Sequence, residues 1–330
     1  MKNRVTGWVG SFVFAWMLSS AAGADPVREA VTLYSDGTRL AGDIWRPEGL
    51  AAGETRPGLL LVHGWGGVKS HLNQAYAPQF AALGYVVLTF DYTGWGDSEG
   101  VLVRTGKRSA EARGAKGAVT YTTEVREIRQ IVNPLEQLDD IRAAYAFLVT
   151  DKHVDAARTA VWGTSLGGGL ALATAIEFPE IDVLIAQVGS VNPAAGRDEL
   201  PDDNPLSAPS LVAWRGAIAR GDSPSFPTEA APGLTGAPDW PDFARYDPYT
   251  NLDNLRAATL IVDAAQEELF DIRQNGLDLY GRIKDRLPAR YETIDGKHYD
   301  VYRDEGYASA LAWAQDWLRK HLPADGAPEA

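Results

Sequence analysis

The sequence predicts an α/β chain, with a mostly parallel sheet of eight strands and helices on both faces. Three observations predict it. Short apolar runs rich in β-branched residues alternate with longer helical patterns, the rhythm of repeated strand–helix–strand units. At 330 residues and 45% hydrophobic, the chain has enough apolar surface for one large core. No repeat at a fixed period divides it, so it reads as one domain carrying insertions.

The elements follow in chain order. The first expected strands, Ala30 to Tyr34 and Leu40 to Trp45, are joined by Asp36-Gly37, a pair suited to the positive φ angles of a hairpin turn, so an antiparallel edge begins the sheet. Strands Leu59 to His63 and Tyr85 to Phe90 bracket a helix from about Leu72 to Leu83. A helix from Pro134 to Val149 leads into the strand Thr159 to Trp162, the helix Leu166 to Phe178 and the strand Val183 to Val188. Strands Thr259 to Asp263 and Ala289 to Ile294 flank a helix from Ile272 to Ile283, and an amphipathic helix from Gly306 to His321 closes the fold.

Two segments break this rhythm. Residues 99–133 begin charged and Gly-rich, then carry Val125, Ile128 and Ile131 at near-helical spacing. Residues 190–251 hold ten prolines and no strong period, the character of a lid or binding surface over a compact domain. At the other end of the chain, Lys2 and Arg4 precede an apolar stretch from Val5 to Leu18. Small residues follow, with Ala22-Gly23-Ala24 matching the A-x-A cleavage pattern. That stretch falls short of the roughly 20 residues needed to cross a bilayer. Residues 1–24 are therefore expected to be a signal peptide, and 25–330 an exported domain, periplasmic or extracellular, with no stable membrane anchoring once the leader is removed.

Charge and composition narrow the chemistry. The formal net charge is −13, and loss of Lys2 and Arg4 with the leader makes it −15, a balance that repels nucleic acid and anionic lipid. The chain has no cysteine, which excludes disulfides, a thiolate nucleophile and cysteine-ligated metal. A nucleophile here must be oxygen or nitrogen, and nothing in the pattern calls for a metal or an organic cofactor.

Gly163-Thr164-Ser165-Leu166-Gly167 fits G-x-S-x-G, in which small residues permit a sharp strand-to-helix turn that exposes the serine oxygen. Its context matches, because Thr159-Ala160-Val161-Trp162 precedes it and the helical Gly168 to Ala173 follows. Five histidines compete for the general base. His63 ends a strand and is suited to fixing a loop, and His71 precedes the serine in the chain. His153 and His321 read as solvated. His298 follows a strand through Asp295-Gly296-Lys297 and comes after both serine and acid, so it is the expected base. The acid should follow Thr259-Leu260-Ile261-Val262, where a carboxylate reaches the imidazole and holds its tautomer. Glu267 is preferred, with Glu268 and Asp263 still open and Asp271 more distant in the chain.

Together these residues resemble the α/β-hydrolase superfamily over nearly the whole chain after the leader. The resemblance rests on Leu61-Val62-His63-Gly64-Trp65-Gly66-Gly67, on Asp91 to Ser98, on the serine turn and on Gly296-Lys297-His298-Tyr299. It implies that the backbone N–H groups of Trp65 and Leu166 bind the developing oxyanion. Leu138-Asp139-Asp140-Ile141 and His298-Tyr299-Asp300-Val301-Tyr302 are similar to the dienelactone-hydrolase-like and X-Pro dipeptidyl-peptidase-like branches. Dienelactone hydrolases use cysteine where Ser165 stands, and X-Pro peptidases usually place tyrosine where Trp65 stands. The expected activity is serine-dependent hydrolysis of a small-molecule ester, with X-Pro-type peptide or amide cleavage and non-catalytic ligand binding as alternatives. Trp65, Trp95, Trp214 and Trp240 are candidates for the walls of an apolar pocket.

Overall fold

A computed structural model describes residues 25–197, 200–220, 229–231 and 234–325. The expected leader over residues 1–24 lies outside them. Eight strands form the main sheet: β1 (Val27–Ser35), β2 (Thr38–Arg46), β3 (Arg56–Val62), β4 (Val86–Phe90), β5 (Val154–Thr164), β6 (Val183–Gln187), β7 (Ala258–Ala264) and β8 (Ala289–Ile294). Their order across the sheet is β1-β2-β4-β3-β5-β6-β7-β8. β1 and β2 pair antiparallel, as do β2 and β4, and every later pairing is parallel. Asp36 and Gly37 turn the first hairpin with φ of 45° and 89°, the two positive values such a tight turn requires.

Alternation along the central strands divides the core between the two faces. Leu60 and Val62 of β3 join a cluster with Ile141, Leu148, Leu170 and Leu172, contributed by α3 (Pro134–Val149) and α4 (Leu166–Glu177). Leu59 and Leu61 join the opposite cluster with Leu72, Phe80, Trp317 and Leu318. Those last four belong to α1 (Lys69–Ala75), α2 (Ala77–Ala81) and α6 (Asp304–His321). Between β7 and β8 lies α5 (Gly276–Ile283).

The structure differs from the sequence expectation in a few places, each for a physical reason. The single helix expected over 72–83 is split into α1 and α2 at Tyr76, because Pro78 lacks the N–H that a continuous helix would need. Likewise, the helix expected from Ile272 is a 3-10 turn, Ile272–Gln274, followed by α5, with Asn275 outside helical geometry at φ −120° and ψ −106°. Val125–Ile128 is an exposed strand paired antiparallel with Val101–Arg104, although its apolar residues are spaced almost as in a helix. Ile131–Val132 pairs in parallel with Ala237–Pro238. The two irregular segments are thus tied to each other beside the carboxyl ends of the central strands, where an open α/β sheet presents its crevice.

Candidate active site

Ser165 stands between β5 and α4 with φ 56° and ψ −128°, a backbone conformation that a residue with a side chain adopts only where its surroundings enforce it. Close packing enforces it here. A Cβ added at Gly163 would lie 2.0 Å from the Gly167 carbonyl oxygen, and one at Gly167 would lie 2.5 Å from the Val62 carbonyl oxygen. The Ser165 N–H donates to the Gln187 carbonyl at 2.9 Å, while the Ser165 carbonyl accepts from Gly168 at 2.9 Å and Ser190 at 3.1 Å. The serine oxygen is therefore held above the sheet by its neighbours and not by its own conformational preference.

His298 begins the 3-10 turn His298–Tyr302, which follows β8 and Gly296 at φ 154°. Its Nε2 lies 3.1 Å from Ser165 Oγ and its Nδ1 lies 2.7 Å from Glu267 Oε2. The ring and the carboxylate are both buried, each about 1% exposed, so their contact is shielded from water. The second Glu267 oxygen accepts from the Leu269 N–H at 2.9 Å. The edges of Phe270 and Tyr299 pack on the imidazole, with centroid distances of 5.8 and 5.1 Å.

The neighbouring carboxylates are arranged differently. Glu268 accepts from the His298 backbone N–H at 3.2 Å, so it supports the loop and does not contact the ring. Asp263 is fully buried at the end of β7, where one of its oxygens accepts from the Tyr291 hydroxyl at 3.0 Å. Burial pushes its carboxyl up to about 7, a rise opposed by the Tyr291 hydrogen bond and reinforced by the charge of Glu267. Asp271 caps the Ile272–Gln274 turn through the Arg273 N–H at 2.9 Å.

The remaining histidines are distributed as follows. His63 is buried, contacts the Gly64 carbonyl at 3.1 Å and packs on Tyr92 with ring centroids 4.2 Å apart. Burial pushes it down to about 4, which keeps it neutral, with the Gly64 carbonyl pulling the other way. His71 lines the cavity in front of Ser165. The expectation that His153 and His321 are solvated is incorrect. Both are half-buried, His153 because it reaches the Glu54 carbonyl of a neighbouring segment at 3.0 Å and His321 because it packs back on the Trp317 ring one turn earlier in its own helix, at 4.1 Å.

Trp65 and Leu166 flank the serine from two elements. Leu166 is the first residue of α4, where helical N–H groups lack carbonyl partners within the helix. Trp65 follows Gly64, whose Cα is so close that an added Cβ would lie 2.7 Å from Ser165 Cβ. The Trp65 indole donates to the Thr235 carbonyl at 3.1 Å and stacks on Phe243 at 5.3 Å, so the Pro-rich segment holds this loop in place.

Ser165, His298 and Trp65 open onto a cavity of about 460 Å³, a size suited to a small molecule. Of the four tryptophans expected as walls, only Trp65 lines it. Trp95 is buried with its indole on the Ile131 carbonyl, and Trp240 packs on Phe243. Trp214 belongs to the helix Ala208–Ala219 and is not part of the lining. Sequence reasoning missed Tyr76, Leu234 and Tyr302 as walls. Tyr302 carried a usable signal, since it lies four residues after His298, about one helical turn; Leu234 carried none. Among the described residues, no group of three or more His, Asp or Glu is arranged to hold a metal ion, and no helix is long and apolar enough to cross a membrane.

Comparison with known proteins places this geometry in context. The profile of the X-Pro dipeptidyl-peptidase (S15) family matches residues 36–214, more than half of the chain, which includes Ser165 and stops before Glu267 and His298. An uncharacterised 31.7 kDa protein of Escherichia coli is 23% identical over 290 residues, covering 81% of this chain and 91% of that one. The quorum-quenching protein AidA of Acinetobacter baumannii is 27% identical over 245 residues, covering 71% and 69%. A solved structure of a hypothetical protein from Pseudomonas aeruginosa superposes with a TM-score of 0.66 at 17% identity, covering 96% of this chain and all of that one.

Proposed function

We propose a reaction for this chain on one premise: it belongs to the X-Pro dipeptidyl-peptidase (S15) family and is a hydrolase of the α/β fold. The reaction is cleavage of a carboxylic ester through an acyl-enzyme on Ser165. The observation that carries it is the unbroken relay from Glu267 through His298 to Ser165, at 2.7 and 3.1 Å, on the wall of a small-molecule cavity. Glu267 accepts a hydrogen bond from Nδ1–H, which keeps the proton on Nδ1 and leaves Nε2 free to receive the serine proton. Ser165 Oγ attacks the carbonyl carbon, and the resulting oxyanion is stabilised by the N–H groups of Trp65 and Leu166, which cost no reorganisation as charge develops. His298 returns the proton to the leaving alcohol, then takes one from the attacking water and passes it to Ser165 Oγ as the acid departs.

Short p-nitrophenyl esters test this reading. The expected result is turnover by the wild-type protein that falls by at least about 10³-fold in Ser165→Ala. Equal rates for the two proteins on every ester would remove it. The family match itself favours a second reading, cleavage of an X-Pro peptide or amide bond, and X-Pro p-nitroanilides assayed alongside the esters decide between the two. The basic, apolar and small-residue series over 1–24 supports export before catalysis. A secreted or periplasmic product whose N-terminus reads Asp25 by mass spectrometry is the expected outcome.

A further inference from the structure

We infer that the cavity at Ser165 selects esters whose acyl chain is apolar and uncharged, and discriminates against the charged amino terminus of a peptide. This rests on the reading of Ser165 as nucleophile and narrows its substrate. Among the described residues that line the cavity, none is an aspartate, glutamate, lysine or arginine. Trp65, Leu72, Tyr76, Leu234 and Tyr302 supply its apolar surface. Of the three tyrosines that line it, Tyr299 packs against the His298 ring, and the hydroxyls of Tyr76 and Tyr302 are engaged within the protein. Tyr76 accepts from Gln187 Nε2 at 3.0 Å, and Tyr302 shares a hydrogen bond of 2.7 Å with Thr164 Oγ1. Ring carbons are what these residues offer to a bound acyl chain.

The two glutamates beside His298 are equally committed. Glu267 is bound to the His298 ring and the Leu269 N–H, Glu268 accepts from the His298 backbone, and neither lines the cavity. A peptide α-ammonium entering this space would lose its hydration and gain no counter-charge, whereas a hydrocarbon chain would gain by leaving water. The chain's net charge of −13 draws cations only at a distance, and salt screens that attraction beyond about 10 Å. The local lining therefore outweighs the global field in choosing the substrate.

The test compares p-nitrophenyl acetate, butyrate and hexanoate with the ω-aminohexanoyl ester, the monoester of adipic acid and Ala-Pro-p-nitroanilide, all on the full-length protein. Expected is a rise in kcat/KM of about fourfold per added methylene up to hexanoyl. Both charged esters should fall at least about 100-fold below hexanoate. Leu234→Asp, which puts a carboxylate on the wall, should narrow the gap between hexanoyl and ω-aminohexanoyl esters at least about tenfold. Charged esters within about threefold of hexanoate, a faster X-Pro amide, or an unchanged ratio in Leu234→Asp would each overturn the inference. Labelling of Ser165 by a fluorophosphonate separates the two levels of the argument. Labelled protein that prefers charged substrates overturns the acyl selection alone, while unlabelled protein removes the nucleophile beneath it.

Discussion

Around the imidazole of His298, three carboxylates occupy three distinct positions, and their geometry assigns each a different task. Glu267 meets the ring at 2.7 Å, Glu268 meets the backbone at 3.2 Å, and Asp263 meets only the Tyr291 hydroxyl among the described partners. Replacing Glu267 by glutamine keeps the shape but removes the charge that favours the Nδ1 proton and, in the proposed reaction, the imidazolium formed during attack. Glu267→Gln is therefore expected to lower kcat on p-nitrophenyl esters by about 10³- to 10⁴-fold with KM little changed. Glu268→Gln should cost less than about tenfold, the effect of a loosened loop hydrogen bond. Steady-state kinetics of the two variants side by side check this, and a larger loss in Glu268→Gln would reverse the assignment.

At the scale of elements, the site depends on the junction of β5 with α4 and on the turn after β8. The junction is held by the absence of side chains at Gly163 and Gly167. Gly163→Ala forces a methyl group to within 2.0 Å of a backbone oxygen that cannot move without unwinding α4. Its expected cost is roughly 3 kcal/mol or more, read as a lowered denaturation midpoint in urea. The turn is anchored by Tyr302, whose hydroxyl bonds Thr164, the residue before Ser165, at 2.7 Å; Thr164 in turn accepts from Gln187 at 3.3 Å. This chain links the segment carrying His298 to the strand that leads into Ser165. Tyr302→Phe preserves the ring and deletes only that link, so kcat should fall about five- to tenfold while KM holds. An unaltered kcat would mean that the turn is positioned by packing alone.

Across the whole molecule, the two irregular segments act as one layer. The Ile131–Val132 pairing with Ala237–Pro238 brings Thr235 and Phe243 against Trp65, a residue more than 150 positions earlier in the chain. The same region concentrates acid. Burial pushes Glu136, in the first turn of α3, up to about 7, with Asp140, Asp239, Asp139 and Asp242 adding to the rise. Such a group keeps its proton in the folded chain after the unfolded chain has released it. Its effect on stability is therefore absent at low pH and becomes unfavourable as pH rises from the ordinary carboxylate range towards about 7. Glu136→Gln removes the titration. Its thermal midpoint should exceed that of the wild type by a few degrees at pH 8 and match it near pH 4, as scanning calorimetry at the two pH values would show.

Much of this molecule is written in local pattern. Short apolar runs rich in β-branched residues specify the strands, Asp36-Gly37 specifies the first hairpin, and two glycines around Ser165 specify a turn that only small residues can make, because these depend on neighbours a few residues apart. The candidates Ser165, His298 and Glu267 could be named from their places after successive strands. Local pattern did not separate Glu267 from Glu268 and Asp263, since all three follow the same strand and differ only in where the loop turns each carboxylate. Nor did it reveal Leu234, Thr235 and Phe243 as supports of the cavity or Val125–Ile128 as a strand. Those outcomes are settled by pairing and packing between segments far apart in sequence, and such long-range contacts leave no periodic trace in either partner.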